Sequence, residues 1–397
     1  MRIAGIIAEY NPFHHGHAYH IQKTREMGAT HIVCVISGNY VQRGEPALFS
    51  KEARVKAALA GGADLVLELP LPWAMAPAQT FARGGVFLLN ALSCVDLLSF
   101  GSECGDLPLL TACAKALSSD GFSLLLKEKL AAGLPFAKAR AMAMEEACPS
   151  LAAPLSAPND TLALEYLAAL SILSSPIQPV CVRRKGAGHD GVETAEGFAS
   201  ASFVRARIEN GDLDGAAAFL PLESFSILKE ELEAGRAPAG LCNLERAVLA
   251  FLRVKKLEEL GRLPDLSEGL ENRLYDAVRK AQSLEELYDL VKTKRYSHAR
   301  IRRICLAGFL GLTADLTREP PPYLRVLGAN GRGYEVLKRA GKSARLPIVG
   351  RYGQISSLDK RAQIVFNLES RAADLFGLAA PRVQPCGGEE TYQLIKR

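Results

Sequence analysis

The chain has 397 residues, and its apolar fraction of 48% and charged fraction of 23% are those of an ordinary globular protein. This length predicts roughly two to three domains. The formal net charge of +5 is too small to indicate a nucleic-acid partner by itself. Without a bilayer-long apolar stretch or a cleavable signal pattern, we expect a cytoplasmic protein that has no membrane partner. The nine cysteines show neither a C-x-x-C pair nor metal-ligand spacing, so we expect free thiols and no metal site.

The most informative segment follows the first predicted strand. Residues 2–8 form that strand, and residues 11–17 (NPFHHGH) place His-x-Gly-His at the start of a helix. Open α/β sheets bind ligands where parallel strands end, and a helix N-terminus there attracts phosphate. Gly16 lets the backbone approach a ligand, while His14 and His17 supply donors to phosphate oxygens. Histidines near a turn are often plain polar loop residues, but the position after the first strand favours attack on the α-phosphorus of a nucleotide.

The following elements predict a parallel α/β sheet. Strands are predicted at residues 31–36, 65–69, 95–100 and 179–184, with helices between them at residues 17–27, 50–60 and 78–92. Residues 107–173 are mainly helical. Alternating strands and helices indicate a parallel sheet with right-handed crossovers.

The second half of the chain is predicted to be mainly α-helical. Helices are predicted at residues 244–260, 270–281, 284–290 and 299–310, and a small strand at residues 323–329. We place the domain boundary at residue 211, which divides the chain into residues 1–211, the nucleotide-binding domain, and residues 212–397, the helical domain.

Residues 8–17 (AEYNPFHHGH) resemble the bacterial tRNA(Met) cytidine acetate ligases, a family of HIGH-type nucleotidyltransferases. One departure is His15, where the family has Asn, at the variable position of His-x-Gly-His. The resemblance spans most of the chain, from Met1 to at least the early 300s, and implies a Rossmann-like N-terminal domain with a mainly α-helical C-terminal domain. Further strings that carry it are residues 37–47 (SGNYVQRGEPA), 63–70 (ADLVLELP), 100–103 (FGSE), 200–205 (SASFVR) and 294–301 (KRYSHARI).

The resemblance implies a set of ATP-binding residues, with His14 and His17 in the catalytic role. Ser200 and Ser202 at a helix start, with Arg205 one turn later, suit phosphate oxygens, although alone they indicate an ordinary helix cap. Gly101 alone is most simply a turn glycine. The implied ATP-binding residues are Ile7, Ala8, Glu9, Tyr10, Asn11, Pro12, Phe13, His14, His15, Gly16, His17, Ala18, Tyr19, His20, Gly101, Asn159, Arg184, Ser200, Ser202 and Arg205.

Two further segments suggest a second substrate. Residues 37–47 form a polar loop after the second strand, in which Arg43 could bind a carboxylate, pair with Glu45 or contact RNA. Residues 292–303 (KTKRYSHARIRR) carry six positive charges and no acidic residue. Such a run is often a solvated helix face, but the interleaved aromatic rings suit unpaired bases. With the resemblance, this predicts tRNA binding through Lys294, Arg295 and Arg300.

The resemblance implies a two-step reaction. Acetate and ATP form acetyl-adenylate and pyrophosphate, and the acetyl group passes to N4 of the wobble cytidine of elongator tRNA(Met). We expect Mg²⁺ to accompany ATP, and we infer no stable protein partner. Two alternatives stay open: an adenylyltransferase that acts on a small phosphorylated metabolite, and a non-catalytic RNA-binding module. The basic helical half argues against the first, and the retained histidines argue against the second.

Overall fold

A computed structural model describes residues 1–185, 197–267, 269–294 and 296–397. Strands and helices alternate in the N-terminal part, as the sequence predicts. Its elements are β1 (Ile3–Ala8), α1 (His15–Glu26), β2 (His31–Ser37), β3 (Tyr40–Val41), β4 (Glu45–Pro46), α2 (Lys51–Ala60), β5 (Leu65–Leu69), α3 (Leu71–Ala74), α4 (Ala78–Ala91) and β6 (Leu97–Ser102). A helical segment and one more strand follow, comprising α5 (Leu107–Leu117), α6 (Asp120–Ala131), α7 (Phe136–Ala147), α8 (Pro158–Ile172) and β7 (Gln178–Arg183).

The remaining described residues are mostly helical until the chain returns to the sheet. The helices are α9 (Ala201–Glu209), α10 (Leu213–Ala217), α11 (Leu222–Glu233), α12 (Leu241–Val254), α13 (Leu257–Leu260), α14 (Leu270–Lys280), α15 (Leu284–Val291) and α16 (His298–Leu310). The final elements are β8 (Leu324–Ala329), α17 (Gly331–Ala340), β9 (Ile348–Val349), α18 (Lys360–Phe376), α19 (Gly388–Thr391) and β10 (Ile395–Lys396).

The main sheet has the order β10-β8-β5-β2-β1-β6-β7, with β9 also paired to β8. The pairs from β5 to β7 are parallel. From β1 the chain moves outward to β2 and β5, and it then returns to the other side of β1 with β6 and β7. This reversal creates a crevice outside the carboxyl ends of β1 and β6, which is where doubly wound sheets bind ligands. The His-x-Gly-His loop follows β1 and therefore lies at this position.

Helices cover both faces of the sheet. In β2, Val33 and Val35 belong to the core shared with α4, α8, α17 and α18, whereas Ile32, Cys34 and Ile36 belong to the core shared with α1 and α2. This alternation is the period-two pattern of a strand that is buried on both sides. It anchors α1, which carries the histidines, firmly to the sheet.

The strand β8 lies beyond residue 211 yet pairs antiparallel with β5 in the main sheet. The parallel sheet and the helical character of the second half are confirmed, and the small strand predicted at residues 323–329 becomes part of this sheet. A second apolar core joins α12, α14, α15 and α16 with part of α18. The division at residue 211 stays a prediction, because the sheet takes strands from both sides of it.

Buried charges join the C-terminal segment to the sheet. Lys51, at the start of α2, lies with its Nζ 2.7 Å from Glu68 Oε1 and also pairs with Glu389 of α19. Both partners are about 2% exposed, so this cluster fixes α19 against α2 and β5.

Among the described residues, no single helix has the length and apolar character needed to cross a membrane. The helices α5 and α6, which meet at a 71° bend, have together the length and apolar composition of a membrane span, but only length and composition support that comparison.

Candidate functional site

Aromatic packing fixes the loop that carries the histidines. Tyr10 and Phe13 are buried, and their rings meet edge to face with centroids 4.9 Å apart. Tyr10 also meets the ring of His17 at 4.8 Å. A Cβ at Gly16 would lie 2.8 Å from His14 Cε1. The glycine therefore makes room for the His14 ring, in addition to any ligand that approaches the backbone.

The hydrogen bonds of His14 and His17 determine which ring nitrogen carries the proton. His14 Nδ1 accepts the Gly16 backbone N–H at 3.0 Å and caps α1. His17 Nδ1 accepts the His14 backbone N–H at 3.3 Å. Because an accepting nitrogen holds no proton, each neutral ring carries its proton on Nε2. The two rings stack with centroids 3.8 Å apart, so this turn supplies two adjacent N–H donors.

Burial keeps these histidines neutral. Desolvation, followed by the positive charge of Arg184, lowers the pKa of His14 to about 3. Burial also lowers the pKa of His17, with the neighbouring His14 as the next cause. The pKa of His20 falls to about 4 for the same reason, and His20 Nε2 lies 2.9 Å from Ser99 Oγ of β6. At neutral pH these rings act as hydrogen-bond donors rather than as cations.

Two arginines place positive charge beside the rings. Arg184 follows β7, and its charge lowers the pKa of His14, His17 and His20 after the larger effect of burial. Arg205, on α9, donates from Nη1 to the carbonyl oxygen of Asn11 at 2.9 Å. Burial lowers the pKa of both guanidinium groups. The site thus combines neutral donors with two partly desolvated cations, which suits a polyanion.

Asn159 and Gly101 lie next to Arg184. Arg184 Nη1 is 3.4 Å from Asn159 Oδ1, and a Cβ at Gly101 would be 3.4 Å from Arg184 Cγ. The Glu103 carboxylate accepts from the Asn159 side chain and from the Asp160 backbone N–H, the latter at 2.9 Å. These bonds join the end of β6 to the start of α8. The structure therefore brings the predicted Gly101, Asn159 and Arg184 together.

Ser200 and Ser202 lie at the start of α9. Ser200 Oγ accepts the Phe203 backbone N–H at 3.2 Å and lies 3.0 Å from Ser202 Oγ. The Phe198 ring meets the Tyr19 ring of α1 at 5.7 Å, which brings this segment beside the histidine helix. Ser200 is a helix cap here, so its role toward phosphate stays a prediction. The other predicted positions occupy the end of β1, the following loop and the first turns of α1, namely residues 7–20.

Known proteins match the chain along its whole length. A profile described as HIGH Nucleotidyl Transferase matches residues 1–390. The tRNA(Met) cytidine acetate ligase of Thermoanaerobacter sp. (strain X514) is 38% identical over 403 residues, covering 100% of both chains. The enzyme of that name from Acetivibrio thermocellus is 37% identical over 413 residues, again covering 100% of both. The chain belongs to the tRNA(Met) cytidine acetate ligase family.

A solved structure shares the fold of this ligase-family chain. The crystal structure of Thermotoga maritima TmcAL bound with alpha-thio ATP has a TM-score of 0.92 and 31% sequence identity, and the match covers 100% of both chains. The apo crystal form has a TM-score of 0.93 and 32% identity. The family and the α/β fold that the sequence predicts are thereby confirmed.

Arg54 of α2 holds this ligase-family site in place, and sequence reasoning missed it. Its side chain is 0% exposed and donates to the backbone carbonyls of Glu9 at 2.7 Å, Ser37 at 3.0 Å, Phe49 at 3.1 Å and Gly38. Burial lowers its pKa to about 10. Because β1 ends just before Glu9 and β2 ends at Ser37, one guanidinium group fixes the loops that follow these two strands. No sequence signal marks it, since an arginine on a helix predicts an exposed charge.

The residues of the predicted basic run differ in exposure and in their contacts. Lys294 is exposed and lines a surface cavity of about 490 Å³ with Arg273 and Tyr296. Arg300 instead donates to the Asp265 carbonyl oxygen at 2.8 Å. Arg295 lies outside the described residues. The assignment of these three positions to tRNA stays a prediction, and the structure gives Arg300 a structural partner as well.

Proposed function

We propose that this chain is an ATP-dependent acetate ligase that acetylates N4 of the wobble cytidine of elongator tRNA(Met). The observation that carries the proposal is the convergence of two neutral histidines and two arginines at the crevice beyond β1. Relatives of matching length carry the name of this ligase, and the structural neighbour is bound with alpha-thio ATP.

We infer that the ATP phosphates lie across the N-terminus of α1. Arg184 Nε and Asn11 Nδ2 are buried donors without a hydrogen-bond partner among the described residues. An unpaired buried donor costs about 1–3 kcal/mol, and phosphate oxygens would satisfy both. The proposed ATP contacts are the predicted set: residues 7–20, Gly101, Asn159, Arg184, Ser200, Ser202 and Arg205.

In the first step an acetate oxygen attacks the α-phosphorus, and the bond from that phosphorus to the departing pyrophosphate breaks. His14 and His17 donate their Nε2–H groups to phosphate oxygens as charge moves from one phosphate to the next. Arg184 and Arg205 neutralise the leaving group. Neither histidine exchanges a proton, which agrees with their lowered pKa values.

We expect Mg²⁺ to arrive on the phosphates, with phosphate and water oxygens as most of its ligands. Within the described residues, no group of three or more His, Cys, Asp or Glu side chains could hold a metal ion.

In the second step the cytidine N4 amine attacks the acetyl carbonyl carbon of the adenylate. The N–C bond forms, the C–O bond to AMP breaks, and the amine releases one proton. We propose that Lys294, Arg295 and Arg300 contribute to tRNA binding, and that the protein works in the cytoplasm, where its tRNA substrate is found.

The test measures ATP–pyrophosphate exchange with and without acetate, in the absence of RNA, and then N4-acetylcytidine in elongator tRNA(Met) by mass spectrometry. Acetate-dependent exchange and acetylated tRNA support the proposal. Exchange that needs a phosphorylated metabolite instead of acetate would indicate an adenylyltransferase. A complete lack of exchange, with RNA binding retained, would indicate a binding module.

A further inference from the structure

The turn at residues 42–44 connects β3 to β4 and touches both functional parts of the chain. On one side, the Gln42 backbone N–H donates to Glu9 Oε1 at 2.8 Å, beside the histidine loop. On the other side, the Gln42 carbonyl oxygen accepts from Arg303 Nη1 of α16 at 3.4 Å. The turn therefore lies between the candidate nucleotide site and the basic helix.

Close packing and ion pairs fix the position of this turn. Gly44 has a φ of +75°, and a Cβ there would lie 2.5 Å from the Arg303 backbone nitrogen, so glycine allows the contact with α16. Glu45 Oε1 lies 3.8 Å from Arg205 Nη2, and Glu45 Oε2 lies 3.6 Å from Arg302 Nη1. One carboxylate thus joins an arginine of the nucleotide site to an arginine of α16.

Arg43, at the middle of the turn, is left for an external partner. It is exposed and makes no hydrogen bond or ion pair within the described part of the chain. Glu45, its near neighbour in sequence, already pairs with Arg205 and Arg302. The charge of Arg43 nevertheless acts on the site: burial raises the pKa of Glu9, and Arg43 is among the groups that oppose this rise.

The chemistry of this position favours a polynucleotide over a small carboxylate. A single ion pair in water contributes only about 0–1 kcal/mol, so an exposed guanidinium would hold acetate weakly. A phosphodiester accepts two parallel hydrogen bonds from arginine, and other contacts along the strand add to them.

We propose that Arg43 binds a phosphate of the RNA strand next to the modified cytidine, and that the turn at residues 42–44 is where this strand enters the nucleotide site. This inference rests on the proposed function, because it takes the second substrate to be RNA. It resolves the three roles that the sequence leaves open for Arg43 in favour of RNA contact.

The experiment compares Arg43→Ala with Arg43→Lys and with the matched control Arg332→Ala. Arg332 is also an exposed arginine, but Asn330, which caps its helix α17, contacts Asp64 just before the start of β5, at the end of the sheet opposite to the site. For Arg43→Ala we expect kcat/KM for tRNA to fall about 10–100-fold, the equivalent of one charge-assisted hydrogen-bonded contact. The log–log salt slope of tRNA binding should lose about 0.7. Acetate-dependent exchange without RNA should persist.

Arg43→Lys separates the effect of the positive charge from that of the two parallel hydrogen bonds that arginine can donate. Arg43→Lys should keep the wild-type salt slope but lose part of kcat/KM, because lysine keeps the charge without the bidentate contact. Arg332→Ala should match the wild type in every assay. If the wild type acetylates tRNA and Arg43→Ala behaves like Arg332→Ala, or if Arg43→Ala loses exchange as well, the inference is wrong. If the wild type acetylates no tRNA, the proposed function itself fails, and this inference fails with it.

Discussion

Acidification should reveal the buried neutral state of His14 as a loss of stability. The side chain is 3% exposed, and its pKa in the folded chain is about 3, against about 6.5 in the unfolded chain. Below pH 6.5 the unfolded state binds a proton that the folded state does not. The stabilisation is therefore fully present above pH 6.5 and is lost as pH falls toward 3. Between pH 7 and pH 5 the loss from His14 amounts to about 2 kcal/mol.

Urea unfolding at pH 7, 6 and 5 measures this loss. The wild type should lose about 2 kcal/mol more free energy of unfolding over this range than His14→Gln, which has no titrating ring at that position. His15→Gln, one residue along the chain, is the matched control. Burial lowers the pKa of His15 too, but its ring is less buried than that of His14. His15→Gln should therefore remove less of the pH dependence of the free energy of unfolding. If wild type and His14→Gln show the same pH dependence, His14 is not held neutral, and the argument for its Nε2–H donor fails.

Three further tests address other parts of the protein. His17→Ala should lower acetate-dependent exchange about 10²–10³-fold, because one preorganised donor is lost; His15→Ala should cost less, and equal losses would contradict the assignment of the motif. Arg54→Met should lower the free energy of unfolding in urea by about 2–6 kcal/mol, since at least two buried carbonyls lose their donor. An unchanged free energy of unfolding would show that Arg54 does not hold the two loops in place. Lys294→Ala should weaken tRNA binding in a binding assay at several salt concentrations without changing the free energy of unfolding. Arg300→Ala, in contrast, should lower the free energy of unfolding, because it loses the contact with Asp265. If Arg300→Ala is as stable as the wild type, that contact does not stabilise the fold.

Local sequence patterns predict much of the fold because they act over short distances. The strand at Leu65–Leu69 is predicted to the residue, and β2 differs from its prediction only at Ser37. Both are apolar runs bounded by turn signals. The antiparallel pairing of β5 with β8 was not predicted, because it joins residues such as Leu65 and Ala329 that are far apart along the chain. Nothing near either strand specifies that partner.

The sequence likewise predicts only part of the candidate site. His14 and His17 are predicted from spacing, since a short motif at a strand end fixes where both residues lie. Which ring nitrogen carries the proton depends on the backbone donors of Gly16 and His14, which exist only in the folded loop. Arg54 could not be predicted either, because its acceptors belong to two loops that meet only in the sheet.

The basic run shows why composition cannot assign function residue by residue. Arg302 and Arg303 pair with Glu45 and Asp265, respectively, so part of the run's charge holds α16 against the turn at residues 42–44 and against the loop before α14. Lys294 remains exposed. Replacing the whole run would displace the turn as well as remove the proposed contacts with RNA, and we expect both effects to lower acetylation. Single substitutions are therefore required, because only they separate a residue that contacts RNA from one that positions the surface where RNA binds.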